Sequence, residues 1–191
     1  MSTDQTTREW NGITIPTAGT YELDQAHRRV GFVARHMMVS KVRGEFTDAT
    51  ATITVAEDPL QSSVTAVLQA ASINTGQADR DAHLRGGDFL DVEKFTTIEF
   101  RSTGIVSHSG NEFVLAGDLT VKDVTRPVEL AVEFEGAGRS PFGQDIFGFT
   151  ASTEIDREEF GLTWNVALET GGVLVGKKIK IEIEGEAIRQ G

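Results

Sequence analysis

From Gly19 onward, apolar residues recur at every second position, run after run, and this pattern limits the fold more than any other feature of the chain. Val30, Phe32 and Ala34 share one parity. So do Ala49, Ala51, Ile53 and Val55, and then Val64, Ala66, Leu68 and Ala70. The alternation resumes with Ile98 and Phe100, with Phe113, Leu115, Gly117, Leu119 and Val121, and with Val128, Leu130, Val132 and Phe134. It closes with Phe147 and Phe149 and with Ile179, Ile181 and Ile183. Period two puts each set on a single face of a strand, and about eight to ten strands are predicted. Asp58-Pro59, Ser109-Gly110-Asn111, residues 122–127 and residues 136–141 interrupt the runs with turn-forming residues, so successive strands are joined as hairpins. Many antiparallel strands with one apolar face must stack as two sheets or close on themselves, and only closure removes the edges. An all-β fold follows, an antiparallel barrel of about eight strands that can hold one small ligand.

A single segment departs from period two. Residues 77–85 have helical spacing, with Asp79 and Asp81 suited to a first turn and Gly86-Gly87 to a stop. Thr75 or Asn74 is the expected cap. Asp81 and Arg85 stand four apart in the favourable order, and Ala78, Ala82 and Leu84 are expected to face the barrel. A helix inserted between two strands of a meander lies across a barrel mouth or along its side. Residues 1–17 read as a polar arm, disordered or loosely docked with Trp10 and Ile13 as anchors, and residues 18–191 as a single barrel domain.

Composition removes several classes of function. A net charge of −11 with no basic stripe argues against nucleic acid. The chain has no cysteine and no stretch near the roughly 20 consecutive apolar residues of a membrane span. Its polar first dozen residues lack an apolar run of signal-peptide length, so a cytoplasmic location is expected. No Gly-x-Ser-x-Gly elbow or phosphate-cradling loop is present, and the glycines of residues 171–176 precede a strand and not a helix. His27 and His36 are nine apart and point to opposite faces of an uninterrupted strand, while His108 falls in a turn. No metal or other cofactor is expected.

Three readings remain open from the residues alone. Small residues on the inward faces, Ala34, Ala49, Ala51, Ala66, Ala70 and Gly117, leave room for a ligand or fit a barrel's taper. The polar cluster Arg80, Asp81, His83 and Asp88 meets a ligand head group or pins the helix to the barrel. That cluster also holds the acid, base and histidine of a lipid-directed enzyme. A third possibility is a ligand-free interaction module whose interior is filled by Phe32, Phe46, Phe100, Phe134, Phe149 and Trp164.

Ordered motifs carry a resemblance over residues 19–187. They are Tyr21-x-x-Asp24-x-x-His27, Val30-x-Phe32-x-x-x-His36, Gly44-x-Phe46, Ser72-Ile73-x-Thr75, Arg80-Asp81-x-His83-Leu84 and Asp88-Phe89-Leu90-Asp91. They continue with Gly117-x-Leu119-Thr120, Val124-Thr125-x-Pro127-Val128 and a close running from Val175-Gly176 to Glu186-Ala187. In these the chain resembles the YceI-like family of polyisoprenoid-binding, extended lipocalin-like proteins. Arg28, Thr96 and Asp123 depart from the pattern, standing where a small Ser or Thr, a Pro and a turn Gly are usual. An inward-facing Arg28 would change which head group fits.

The resemblance implies a long apolar tunnel that binds, stores or transports an isoprenoid quinone, prenyl lipid or fatty-amide-like lipid without catalysis. Burying about twenty carbons at about 0.8 kcal/mol each gains roughly 16 kcal/mol before ordering and association costs. The expected ligand-binding residues are Phe32, Phe46, Leu68, Phe89, Phe100, Leu119, Phe134, Phe149 and Trp164, with Arg80, His83 and Asp88 at the polar end. An exposed edge or the N-terminal arm is a possible homodimer contact.

Overall fold

The structure, a computed structural model, describes residues 5–191. Its elements in chain order are β1 (Thr7–Trp10), β2 (Ile13–Pro16), β3 (Gly19–His36), β4 (Ser40–Phe46), β5 (Ala49–Val55), β6 (Ser63–Gln69) and β7 (Ile73–Asn74). After α1 (Ala78–Arg85) come β8 (Thr97–Ser109), β9 (Glu112–Val121), β10 (Val124–Arg139), β11 (Asp145–Asp156) and β12 (Val175–Arg189). The sheet runs β12-β11-β10-β9-β8-β6-β5-β3, all antiparallel, and the pairing of β12 with β3 closes it into an eight-stranded barrel. The β4 strand adds to β3, and β7 adds to β4.

The longest strand makes this possible by changing partners along its length. Residues 19–22 of β3 pair with β5, while residues 30–36 pair with β4. Between them the chain bulges around residues 24–27, held by side-chain bonds of its own. Asp24 Oδ1 accepts from the Ala26 amide, His27 Nδ1 lies 2.7 Å from Asp24 Oδ2, and Arg28 Nε donates to Gln25 Oε1. Short polar side chains that bond nearby backbone favour such breaks in a ladder. Arg28 also donates to the Thr47 carbonyl, so it braces the outside of the bulge and does not enter the interior.

Several turns are tighter than the sequence indicates. The β9–β10 hairpin needs only Lys122 and Asp123, both left-handed at φ 50° and 65°, so residues 124–127 belong to β10. Asp123 does here what a glycine would, as its short acceptor side chain permits. Residues 136–138 also remain in β10, with a register shift between Phe134 and Gly136. His108 lies near the end of β8, tilted against the Trp10 ring at 5.2 Å.

That contact belongs to a larger difference. Residues 1–4 of the expected arm lie outside the described residues; in the rest, β1 and β2 form a hairpin around Asn11-Gly12, a pair suited to left-handed turns. Its Ile15 is 4% exposed, and the Arg8 guanidinium donates to the carbonyls of Ala56 and Glu57. Ile13 and Ile15 share one face of β2, and Ile15, farther from the Asn11-Gly12 tip, is the more deeply buried.

The helix occupies the expected place with a different buried face. Gln77 is its cap, accepting from the Arg80 amide, and Ala78 and Ala82 are exposed. Asp81 is buried instead, accepting from the Thr75 amide at 2.9 Å and the Thr75 hydroxyl at 2.6 Å. Arg80 donates to the same Thr75 hydroxyl and to its carbonyl. Arg85 bonds the carbonyls of Ala71 and Ile73. The helix is thus stapled to β7 through polar groups, with Leu84 as its apolar contact with the core.

Burial alone would raise the Asp81 carboxyl; the two Thr75 bonds, with Arg85 and Arg80 nearby, outweigh it and hold the group below its ordinary value. A carboxylate lowered in the folded state adds stability above its unfolded pKa of about 4, and that stability is lost as pH falls through the lower folded value. Asp81→Asn is expected to cost about 1–3 kcal/mol at pH 7. The difference from the parent should shrink below about pH 4, as thermal unfolding across pH will report.

Candidate functional site

The inner wall follows the parity read from the sequence. Every apolar residue of the alternating runs lines one interior cavity of ≈ 420 Å³, except Ala70 and Gly117. That volume is in the range of small-molecule pockets, about 300–1,000 Å³. On β9 the lining extends from Phe113 to Val121. At about 3.4 Å per residue and a strand tilt of roughly 40°, this amounts to about 20 Å of depth. The cavity is elongated, and its wall is almost wholly hydrocarbon.

A hollow interior has to be kept hollow against side chains that would otherwise fill it. Three glycines on neighbouring strands do this by giving aromatic rings a seat against the wall. A Cβ on Gly44 would lie 2.4 Å from the Phe32 ring, one on Gly117 2.4 Å from the Phe100 ring, and one on Gly185 3.2 Å from the Phe149 ring. Phe32 is paired with Gly44 and Phe149 with Gly185, so each ring lies flat over the strand beside its own. Gly117 therefore contributes to the cavity indirectly, by accommodating Phe100 and not by leaving a gap of its own.

The two ends are covered differently. Ile15 and Pro16 of β2 close one end together with Val55 and Pro59. At the other end lie Leu84 of α1, Phe89 and Leu90 of the turn after it, Leu162, Val175 and Arg157. Arg157 is 4% exposed, and its guanidinium is held by backbone carbonyls. Nε donates to Gly176, Nη1 to Leu162 and Trp164, and Nη2 to Val175. Burial lowers its pKa, opposed by Glu158 and Asp156. Among the described residues the only other charged one on the wall is Glu99, which is exposed to solvent.

The expected site residues divide cleanly. Phe32, Phe46, Leu68, Phe89, Phe100, Leu119, Phe134 and Phe149 all line the cavity. Trp164 does not; it packs outside the wall with its ring edge-on to His83 at 4.6 Å and tilted to Phe89 at 5.4 Å. Arg80, His83 and Asp88 lie off the wall as well. His83 Nε2 is 2.9 Å from Asp88 Oδ2, and Arg80 is committed to Thr75. The cluster is a brace between α1 and its surroundings. Arg157 escaped the sequence reading because Asp156, Glu158 and Glu159 around it look like a solvated charged run.

One trio has a metal-like arrangement. Asp24, His27 and Glu186 bring their ligand atoms within 4.8 Å of one another at the β3 bulge, away from the cavity, with His36 not among them. The hydrogen bond to Asp24 raises the His27 pKa, and Glu186 adds to the effect. The Asp24–His27 hydrogen bond, with Glu186 3.6 Å from the same ring nitrogen, satisfies these groups.

A YceI-like domain matches residues 21–187. The chain belongs to the YceI-like family. A UPF0312 protein of Staphylococcus epidermidis is 38% identical over 168 residues, covering 87% of this chain and 95% of the relative. Among solved structures, BcnA of Burkholderia cenocepacia superposes with a TM-score of 0.73 at 21% identity, over 86% of this chain and 98% of that one. A polyisoprenoid binding domain from Saccharophagus degradans superposes at 0.67 with 10% identity, over 91% and 100%. At such identities these likenesses show a shared YceI-like barrel.

The glycine seats give a ranked expectation. The atoms nearest a Cβ on Gly44 belong to the side chains of Phe32 and Thr75, whereas those nearest one on Gly117 include the Arg101 carbonyl at 2.7 Å. Both should push a ring into the cavity and destabilise by about 1–3 kcal/mol, Gly117→Ala more, as chemical denaturation will measure. His83→Ala should lower stability by about 1 kcal/mol through its lost ring contacts and leave ligand capacity intact.

Proposed function

We propose that this protein binds a long-chain isoprenoid, or a lipid of similar shape, with its tail in the barrel cavity, and stores or carries it without altering it. The observation that carries this reading is the cavity itself, elongated and apolar inside a closed sheet. A hydrocarbon tail gains free energy in proportion to the surface it removes from water, so this wall can supply affinity without polar contacts. The structural neighbour described as a polyisoprenoid binding domain supports the same ligand class.

Arg157 favours one orientation. A guanidinium has five N–H donors, and four are used on carbonyls, which leaves one on Nη2 at the end of the wall. A single charged donor suits a carbonyl oxygen, as in a quinone or a fatty amide. Catalysis has less support, because the acid, base and histidine near α1 lie off the cavity wall.

The test is incubation with an isoprenoid quinone, removal of the excess, organic extraction and mass spectrometry. The intact quinone should be recovered from the parent. Leu119→Trp, which places an indole across the lining, should fold normally and retain about tenfold less. Recovery of a chemically altered quinone, or parental retention by Leu119→Trp, would contradict the proposal.

A further inference from the structure

The β3–β4 hairpin tip is built against its own stability. Met37 and Met38 occupy its two central positions with φ of 52° and 64°, the left-handed pair that Asn-Gly adopts at little cost and that unbranched apolar side chains rarely adopt. These residues are also exposed: Met37 to 45%, Met38 to 52% and Val39 to 82%. Beside them is the flap of residues 161–174, joined through the Met37 amide to the Leu174 carbonyl at 2.8 Å and carrying Val166 at 46% exposure. Four of the six large apolar residues exposed among the described residues therefore share one projection. It stands at the end of the barrel where Ala34, Leu162 and Val175 reach the cavity.

Strand pairing assembles beneath this projection a patch of net positive charge that no single stretch of the acidic sequence shows as a basic stripe. Acids outnumber bases by 29 to 18 overall. Residues 33–44 carry Arg35, Lys41 and Arg43 with no carboxylate, and residues 175–181 carry Lys177, Lys178 and Lys180 with none. These runs are adjacent, since β12 pairs with β3 and β3 with β4. Lys177 and Lys180 are paired with Glu158 and Glu182, and Glu182 also feels Arg43. Arg35, Lys41 and Lys178 make no salt bridge among the described residues and are exposed.

We infer that this end docks on an anionic lipid bilayer, the two methionines and Val39 entering the interface while Arg35, Lys41, Arg43 and Lys178 meet the head groups. Apolar side chains with cations on the strands below them are the pairing that an acidic bilayer surface complements, and the flap adds a single carboxylate, Glu169. The inference deepens the lipid-binding reading, since a water-insoluble ligand has to enter from a membrane or a partner. It is tested separately from that reading.

The experiment is sedimentation of the full chain with phosphatidylcholine vesicles with or without roughly one-third phosphatidylglycerol. Binding should need the anionic lipid and weaken with salt. Met37→Asn with Met38→Gly supplies the preferred turn residues, so its unfolding midpoint should stay level or rise while vesicle affinity falls about tenfold. Lys41→Glu with Arg43→Glu should weaken binding similarly. No binding by the parent, or undiminished binding by the Asn-Gly variant, would overturn the inference. So would a dimer in solution that this variant abolishes without any vesicle binding, which would assign the surface to a second copy. Quinone retention is measured in parallel. A filled cavity without vesicle binding defeats the docking surface alone, and vesicle binding with an unfillable cavity defeats the lipid-storage reading alone.

Discussion

The pairing of β12 with β3 is the constraint on which the molecule depends. It turns an open meander with two aggregation-prone edges into a ring, and it does so only because β3 bends and changes partner midway. With the ring closed, all inward-facing residues share one enclosed space, and its shape is set by what they are. Ordinary interiors reach the density of organic crystals, so a cavity of ≈ 420 Å³ has to be held open by its walls. The seating of Phe32, Phe100 and Phe149 over glycines provides that support, with bulky rings that widen the wall without crossing the hollow.

Polar chemistry is confined to the ends and the outside, where it fixes covers in place. Thr75, Arg80 and Asp81 staple the helix to β7. Arg157 gathers four carbonyls, two from the start of the flap and two from the first residues of β12. Among the described residues no buried side-chain nitrogen or oxygen is left without a hydrogen-bond partner, as the cost of leaving a polar group unpartnered away from water requires. The helix end thus combines a well-bonded frame with an exposed apolar tip, whereas the opposite end is covered by the N-terminal hairpin.

The barrel was legible because period two is a direct record of which side of a strand faces inward, and eight of nine proposed tunnel-lining residues do line the cavity. Trp164 was misplaced because it lies in the irregular segment between β11 and β12, where parity gives no guide. The helix face was misread for a different reason: alanines usually point inward on an amphipathic helix, and here an aspartate does, satisfied by a threonine six residues earlier. Arg157 depends on the carbonyls of Val175 and Gly176, which reach it only when β12 is in place, whereas the N-terminal hairpin had a local signal in Asn11-Gly12 that its polar surroundings obscured.

The most direct measurement is a crystal structure of the protein grown with a long-chain isoprenoid quinone. Continuous tail density is expected inside the ring, against Leu68, Phe100 and Leu119, with the quinone carbonyl toward Arg157. An interior occupied by ordered water, or quinone found only on the outer surface of the barrel, would contradict the central claim that the closed sheet encloses a dry hollow for a hydrocarbon chain.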